Sequence, residues 1–252
     1  AVRNASDLTV MSCPVKYRRI GDFNSYYSGA RKAPYLTIFV GGNHEASNHL
    51  WELFYGGWVA PNIYYMGAAN VIRLGGVRIA GMSGIWKGYD YRRPHFERLP
   101  YNQDDIRSIY HVREIDTRKL LQIRTNVDIG ISHDWPKTIE LHGNKNWLFK
   151  NKPDFEQESK SGTFGNEAAK LVMDRLRPAY WFSAHMHCKY AATKVYKDSD
   201  SKDLKGDSSS AASYQSSRSD HSCEPIALKN VDEIELDLEP TIDSPPPVKN
   251  LT

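Results

Sequence analysis

Leu36-Thr37-Ile38-Phe39-Val40 runs without a break into Gly41-Gly42-Asn43-His44-Glu45. A short β-branched and aromatic stretch that stops at glycine reads as a buried strand, so the polar groups after it sit at the end of a sheet. The arrangement recurs twice. Val127-Asp128-Ile129-Gly130-Ile131 leads into Ser132-His133-Asp134, and Ala179-Tyr180-Trp181-Phe182 leads into Ser183-Ala184-His185-Met186-His187. Three strands that end in nitrogen and oxygen donors predict a donor cluster along one sheet edge.

Such a cluster is what a metal site requires. A divalent cation needs several imidazole or oxygen donors at roughly 2.0–2.2 Å, and donors far apart in the chain must be brought together by a rigid scaffold. His185 and His187 stand at i and i+2, which points both rings to one face on a regular strand and at a turn lets them address two neighbouring ions. Taken alone, that pair reads more readily as two histidines hydrogen-bonded in a loop. The Asn43-His44 and His133 runs shift the reading to a metal site.

The rest of the chain reads as mixed α/β. Ser47 is placed to cap a short helix through Phe54, beside Asn43-His44. Val71–Leu74 and Val77–Ala80 flank Gly75-Gly76, a pair that closes a two-residue hairpin through positive φ. Residues 166–176 carry Ala168, Leu171, Val172 and Leu176 on one helical face, stop before Pro178 and feed the strand that leads to His185. No internal repeat is evident.

The 252 residues are 40% hydrophobic and 25% charged, enough for one sizeable core. No stretch approaches the roughly 18 apolar residues of a membrane span. Cys13, Cys188 and Cys223 are odd in number and scattered, which points to a reducing compartment and away from a disulfide framework. Cys188 beside His187 reads as a buried strand residue. Charge divides the chain: residues 1–195 hold 27 Lys and Arg against 18 Asp and Glu, and residues 196–252 hold 6 against 12. The basic part (1–195) suits a polyanionic partner, and equally suits plain solubility. In the acidic part (196–252), the Ser-, Asp- and Lys-rich run 198–223 cannot bury enough surface to order itself. Val231–Leu238 alternates apolar with acidic residues and could add an edge strand, and Pro245-Pro246-Pro247 favours an extended conformation.

Residues 83–113 form a long polar stretch of no clear period. Six Lys or Arg and six Trp, Tyr or Phe fall between Trp86 and Arg113. Flat rings stack on unpaired bases while cations grip phosphates, which makes Trp86, Tyr89, Tyr91, Arg92, Tyr101, Arg107 and Tyr110 candidates for RNA contact. The competing reading is a packed surface loop whose aromatics fill space between sheets.

Gly42-Asn43-His44-Glu45, His133 and Ala184-His185-Met186-His187 together resemble the last three of five motif blocks of the calcineurin-like metallophosphoesterases. The flanking text, including residues 55–65, 106–113 and Ser132-His133-Asp134-Trp135-Pro136, resembles the branch of that superfamily that debranches lariat RNA. The first two blocks are absent, and the resemblance implies a chain that begins just downstream of them, short of a first β-α-β unit. It implies an incomplete four-layer α-β-β-α sandwich over residues 1–195, a lariat recognition loop at 83–113 and a low-complexity tail at 196–252. By the same resemblance, Asn43, His133 and His185 would hold one divalent ion and His187 a second, the metal being iron, zinc or manganese. His44 would protonate the leaving oxygen. Glu45 and Asp134 would orient imidazoles by accepting ring N–H groups, although a capping or surface role fits each equally. The implied reaction is hydrolysis of the 2′-5′ phosphodiester of branched intron RNA in the nucleus, with no membrane partner. Two alternatives stay open: an impaired fragment that only binds RNA, and a metallophosphoesterase with another substrate.

Overall fold

Two β-sheets face each other, and helices cover both outer surfaces. The computed structural model describes residues 1–197 and the strand residues 234–235. In chain order the elements are α1 (Phe23–Tyr27), β1 (Thr37–Phe39), α2 (Ser47–Glu52), β2 (Gly57–Ala60), β3 (Ile63–Tyr65), β4 (Ala69–Leu74) and β5 (Val77–Met82). They continue with α3 (Gly88–Tyr91), α4 (Gln103–Ser108), α5 (Glu114–Leu121), β6 (Ile129–Ser132), α6 (Lys145–Asn151), α7 (Pro153–Ser161), α8 (Glu167–Leu176), β7 (Tyr180–Ser183) and β8 (Ile234–Glu235).

One sheet has the order β1-β3-β2 and the other β7-β6-β5-β4-β8. Ile38, Val40, Tyr64 and Met66 of the first pack on Ile72, Ile79, Ile129 and Ile131 of the second, which makes the central layer. The far face of the larger sheet (Ala69, Val71, Ala80, Met82) is covered by Leu120 of α5 and by Ala168, Ala169 and Val172 of α8. The far face of the smaller sheet meets Leu50 of α2 and Phe23 of α1. The expected α-β-β-α layering is therefore present, because each sheet has two apolar faces to bury.

Local chemistry explains most boundaries. Gly75 and Gly76 take φ of 54° and 87°, so β4 and β5 join in a two-residue turn, paired in register from Ala69↔Met82 to Leu74↔Val77. The Asn166 side chain accepts from Ala169 N at 2.9 Å and caps α8, which ends at Arg177 in the left-handed region ahead of Pro178. Helix α2 is shorter than expected and takes no cap from Ser47: Ser47 is its first residue, and Ala46 occupies the cap position. The edge strand expected within Val231–Leu238 is present as β8, parallel to β4 with Ile72↔Ile234. The tail beyond residue 197 is otherwise outside the described residues, as is Cys223. Among the described residues, no helix is long and apolar enough to cross a membrane.

Residues 83–113 are more built than their sequence suggested. Helices α3 and α4 form within them, the latter held by a capping box between Asn102 and Asp105. Beneath them lies a buried polar cluster. Arg113, fully buried, donates to Glu97 Oε1 at 2.6 Å and to Asp90 O at 2.8 Å. Ser108 Oγ donates to the same Glu97 oxygen at 2.5 Å, and His111 Nδ1 lies 2.7 Å from Asp90 Oδ2. His95 Nε2, 2.9 Å from Asp116 Oδ2, ties the segment to α5. Burial raises the Glu97 carboxyl, but the nearby His95 ring, the hydrogen bond from Ser108 and the Arg113 charge outweigh it and hold the group at about 2.

Arg113→Met strands a buried carboxylate, and equilibrium urea unfolding is expected to register a loss of about 3–5 kcal/mol. Because the folded Glu97 sits below its ordinary 4.5, its contribution is complete above that pH and is lost as pH falls towards about 2. Unfolding curves across that window are expected to show a shallower pH slope in Glu97→Gln than in the parent.

Candidate metal centre and nucleic-acid interface

Strands β5, β6 and β7 run parallel, with Met82↔Ser132 and Ser132↔Ser183 at matched register. Their ends therefore stop at one level, and the runs that follow β6 and β7 meet there. The run after β1 reaches the same place from the other sheet, where Gly84 N donates to Gly41 O at 2.9 Å. Gly42 is needed for the approach, since a Cβ built on it would lie 2.5 Å from the His133 ring.

His133 Nε2 is 3.1 Å from Asn43 Oδ1 and 3.1 Å from His185 Nδ1. A single ring nitrogen carries at most one proton, so hydrogen bonding satisfies only one of these approaches at a time. Donors that share a cation at about 2.1 Å lie roughly 3.0–3.4 Å apart, the spacing seen here. The electrostatics agree: burial, then the neighbouring His185, push His133 down to about 4, and burial also lowers His185, so both rings are neutral as ligands must be. Among the described residues, no three His, Cys, Asp or Glu side chains gather closely enough to hold an ion by themselves. The amide of Asn43 makes the third donor, and the trio fits part of a coordination shell.

His185 and His187 both lie beyond the end of β7 and take positive φ, 62° and 50°. Two non-glycine residues held in that region two positions apart mark backbone strain of the kind found at functional sites. His187 lines the same cavity as His185 and lowers the proton affinity of both His133 and His185, yet it bonds to neither. Cys188, expected on a strand, sits in this loop, half-buried against the Trp135–Phe164 cluster; Cys13 and Cys188 are both free thiols.

His44 stands at the exposed rim. Its Nδ1 donates to Ser12 O at 2.8 Å, which leaves Nε2 as the basic nitrogen, 3.4 Å from Asn43 Nδ2. Ser12 was not apparent from the sequence because it acts through its carbonyl, which any residue possesses. Its hydroxyl meets Tyr110 OH at 2.8 Å and so joins the 83–113 segment to His44. Asp134 does not accept from an imidazole. Its oxygens take the amides of Trp86 at 3.1 Å and Trp135 at 3.0 Å, so the orienting role gives way to capping, and burial raises its carboxyl. Glu45 pairs with the Ala1 ammonium and raises the proton affinity of His133.

The seven aromatic and basic residues singled out for RNA separate. Tyr89, Arg92 and Arg107 are exposed. Trp86 and Tyr91 instead pack on each other at 4.9 Å and against the α5–α8 core, the buried Tyr101 hydroxyl has no bonding partner among the described residues, and Tyr110 is bound to Ser12. For Tyr91 and Tyr101 the space-filling reading prevails, because each ring is worth more in the core than in water.

Residues 15–189 match the family described as Calcineurin-like phosphoesterase. The chain belongs to that family. As a calcineurin-like phosphoesterase it is one of a group that depends on divalent metal. Its relatives include the lariat debranching enzyme of Homo sapiens, 56% identical over 200 residues, which are 79% of this chain and 37% of that protein. The lariat debranching enzyme of Arabidopsis thaliana is 53% identical over 192 residues, 76% of this chain and 46% of the relative. That of Schizosaccharomyces pombe is 52% identical over 192 residues, with 76% and 42% covered. The chain spans less than half the length of these three relatives.

Gly42→Ala is expected to push the His133 ring aside and weaken Mn²⁺ binding by about 10- to 100-fold, as displaced ligands do in metal sites. Isothermal titration of both proteins with Mn²⁺ alone measures the difference; equal affinity would mean that His133 is not a ligand.

Proposed function

We propose that the protein hydrolyses the 2′-5′ phosphodiester at the branch of excised intron lariats, and does so in the nucleus, where introns are removed. The observation that carries the reading is the convergence of Asn43 Oδ1, His133 Nε2 and His185 Nδ1 beside Nε2 of His44. Relatives that share half their residues across this region are named for the same reaction.

Asn43, His133 and His185 would hold one divalent ion and His187 would face a second, with iron, zinc and manganese all compatible with imidazole and amide donors. A divalent ion bound there would supply positive charge for the phosphate and lower the pKa of a water. The side chains do the rest. Asn43 spans the site, with Oδ1 towards His133 and Nδ2 towards His44, so the proton donor is fixed relative to the phosphate site. Ser12 O holds the His44 ring with Nε2 outward, and a proton on that nitrogen passes to the departing 2′-oxygen.

A second reading has its own support. No carboxylate joins the three donors among the described residues, which fits a chain that binds branched RNA but cuts it poorly.

The two readings separate when a synthetic 2′-5′ branched RNA is incubated with Mn²⁺ and the protein. Linear product from the parent, with turnover lower by about 10²–10⁴-fold in His44→Ala and Mn²⁺ affinity retained, is the expected result. Binding without product from the parent would establish the second reading, and loss of Mn²⁺ from His44→Ala would make His44 a ligand.

A further inference from the structure

A cavity of about 530 Å³ opens beside His185 and His187, a volume within the usual range of small-ligand sites. One wall is the start of the 83–113 segment, Trp86 and Lys87, held against the β6 end by the bond from Trp86 N to Asp134 Oδ2. The other wall comes from the junction of α6 and α7, with Lys152 and Phe155. Lys152 Nζ lies 5.9 Å from the Phe155 ring centroid, and Phe155 is itself braced by Phe164 at 4.9 Å. Neither Lys87 nor Lys152 makes an ion pair among the described residues.

Two carboxylates also line the space. Asp134 is 5% exposed, at the floor, with its oxygens on two main-chain amides. Glu158 is exposed and leaves the rim with one net positive charge from the two lysines. Cationic side chains beside aromatic ones, in a trough continuous with a phosphate-handling centre, are what a single nucleic-acid strand requires.

We propose that this cavity is a subsite for the RNA strand that continues from the scissile phosphate, with Lys87 and Lys152 on its backbone and Phe155 against a base. That the strand belongs to a branched RNA rests on the debranching reading; that it is a single strand rests on the cavity. Glu158 opposes the backbone charge and lowers affinity, so the subsite releases its strand readily.

The test is fluorescence anisotropy with a labelled 2′-5′ branched RNA and a linear RNA of the same composition, in buffer without divalent cation so that nothing is cut. Thermal melting verifies the fold of each variant. K152A is expected to weaken binding and to reduce the salt slope by about 0.7, the share of one phosphate contact on a single strand. E158Q is expected to tighten binding, an opposite sign that a merely structural role would not produce. Unchanged dissociation constants in both folded variants would overturn the subsite. Equal affinity of the parent for branched and linear RNA would instead overturn the branched substrate, and parallel effects of K152A and E158Q on both RNAs would still support the subsite.

Discussion

Everything at the candidate centre depends on the register of the parallel ladder β5-β6-β7. Met82, Ser132 and Ser183 stand level across the three strands, so whatever follows β6 and β7 is delivered to one place. A slip by one residue would turn each strand's side chains to the opposite face and carry His133 and His185 apart. The register is fixed from both sides: Ile129 and Ile131 face the central layer, while Gly130 leaves room for the Trp181 ring on the other. Apolar packing that has nothing to do with phosphate chemistry thus sets the distance between two imidazoles.

The 83–113 segment is positioned by a different force. Beside the buried Ile85, Ile106, Ile109 and Val112 it also buries ions. Arg113 satisfies Glu97, Asp90 O and Ser108 O together, and His111 and His95 fasten the ends to Asp90 and Asp116. Buried charges are costly unless each is paired and hydrogen-bonded, and a cluster of this kind specifies one arrangement more than it adds net stability. That arrangement matters at the centre, because Tyr110 and Trp86, at opposite ends of the segment, reach Ser12 and Asp134. The same ions that shape the loop therefore orient the carbonyl behind His44 and the wall beside His185.

Much of this was legible in the sequence, and the legible parts share a cause. The strands before Gly41, Ser132 and Ser183, the Gly75-Gly76 turn and the Asn166 cap are set by neighbouring residues, so pattern and propensity find them. Asn43, His133 and His185 stood out because each lies within one to four residues of the end of a strand. Long-range relations were not legible. That Asp134 is consumed by main-chain amides, that Tyr91 and Tyr101 turn inward, and that Ser12 supports His44 all depend on which segments the fold brings together. Lys152 and Phe155 belong to the same class: nothing near them in the chain marks them, and only the placement of α7 opposite Trp86 gives them meaning.

The proton carried by His44 shows how little the centre leaves to chance. A neutral imidazole in solution distributes its proton between two nitrogens and turns freely, so neither edge is committed to one partner. Here the Ser12 carbonyl can only accept, which places the hydrogen of neutral His44 on Nδ1 and makes Nε2 the site that gains and gives the second proton. While His44 is neutral, Asn43 Nδ2, 3.4 Å away, can donate to that same nitrogen, so the orientation of Asn43 follows from that of His44 in its unprotonated form. With Nδ2 turned to His44, Oδ1 is turned to His133, and the oxygen rather than the nitrogen of the amide joins the donor trio. A single main-chain carbonyl, in a loop tied through Tyr110 to the segment that the buried ions shape, thereby sets which edge of His44 faces the site and, through it, which atom of Asn43 faces His133.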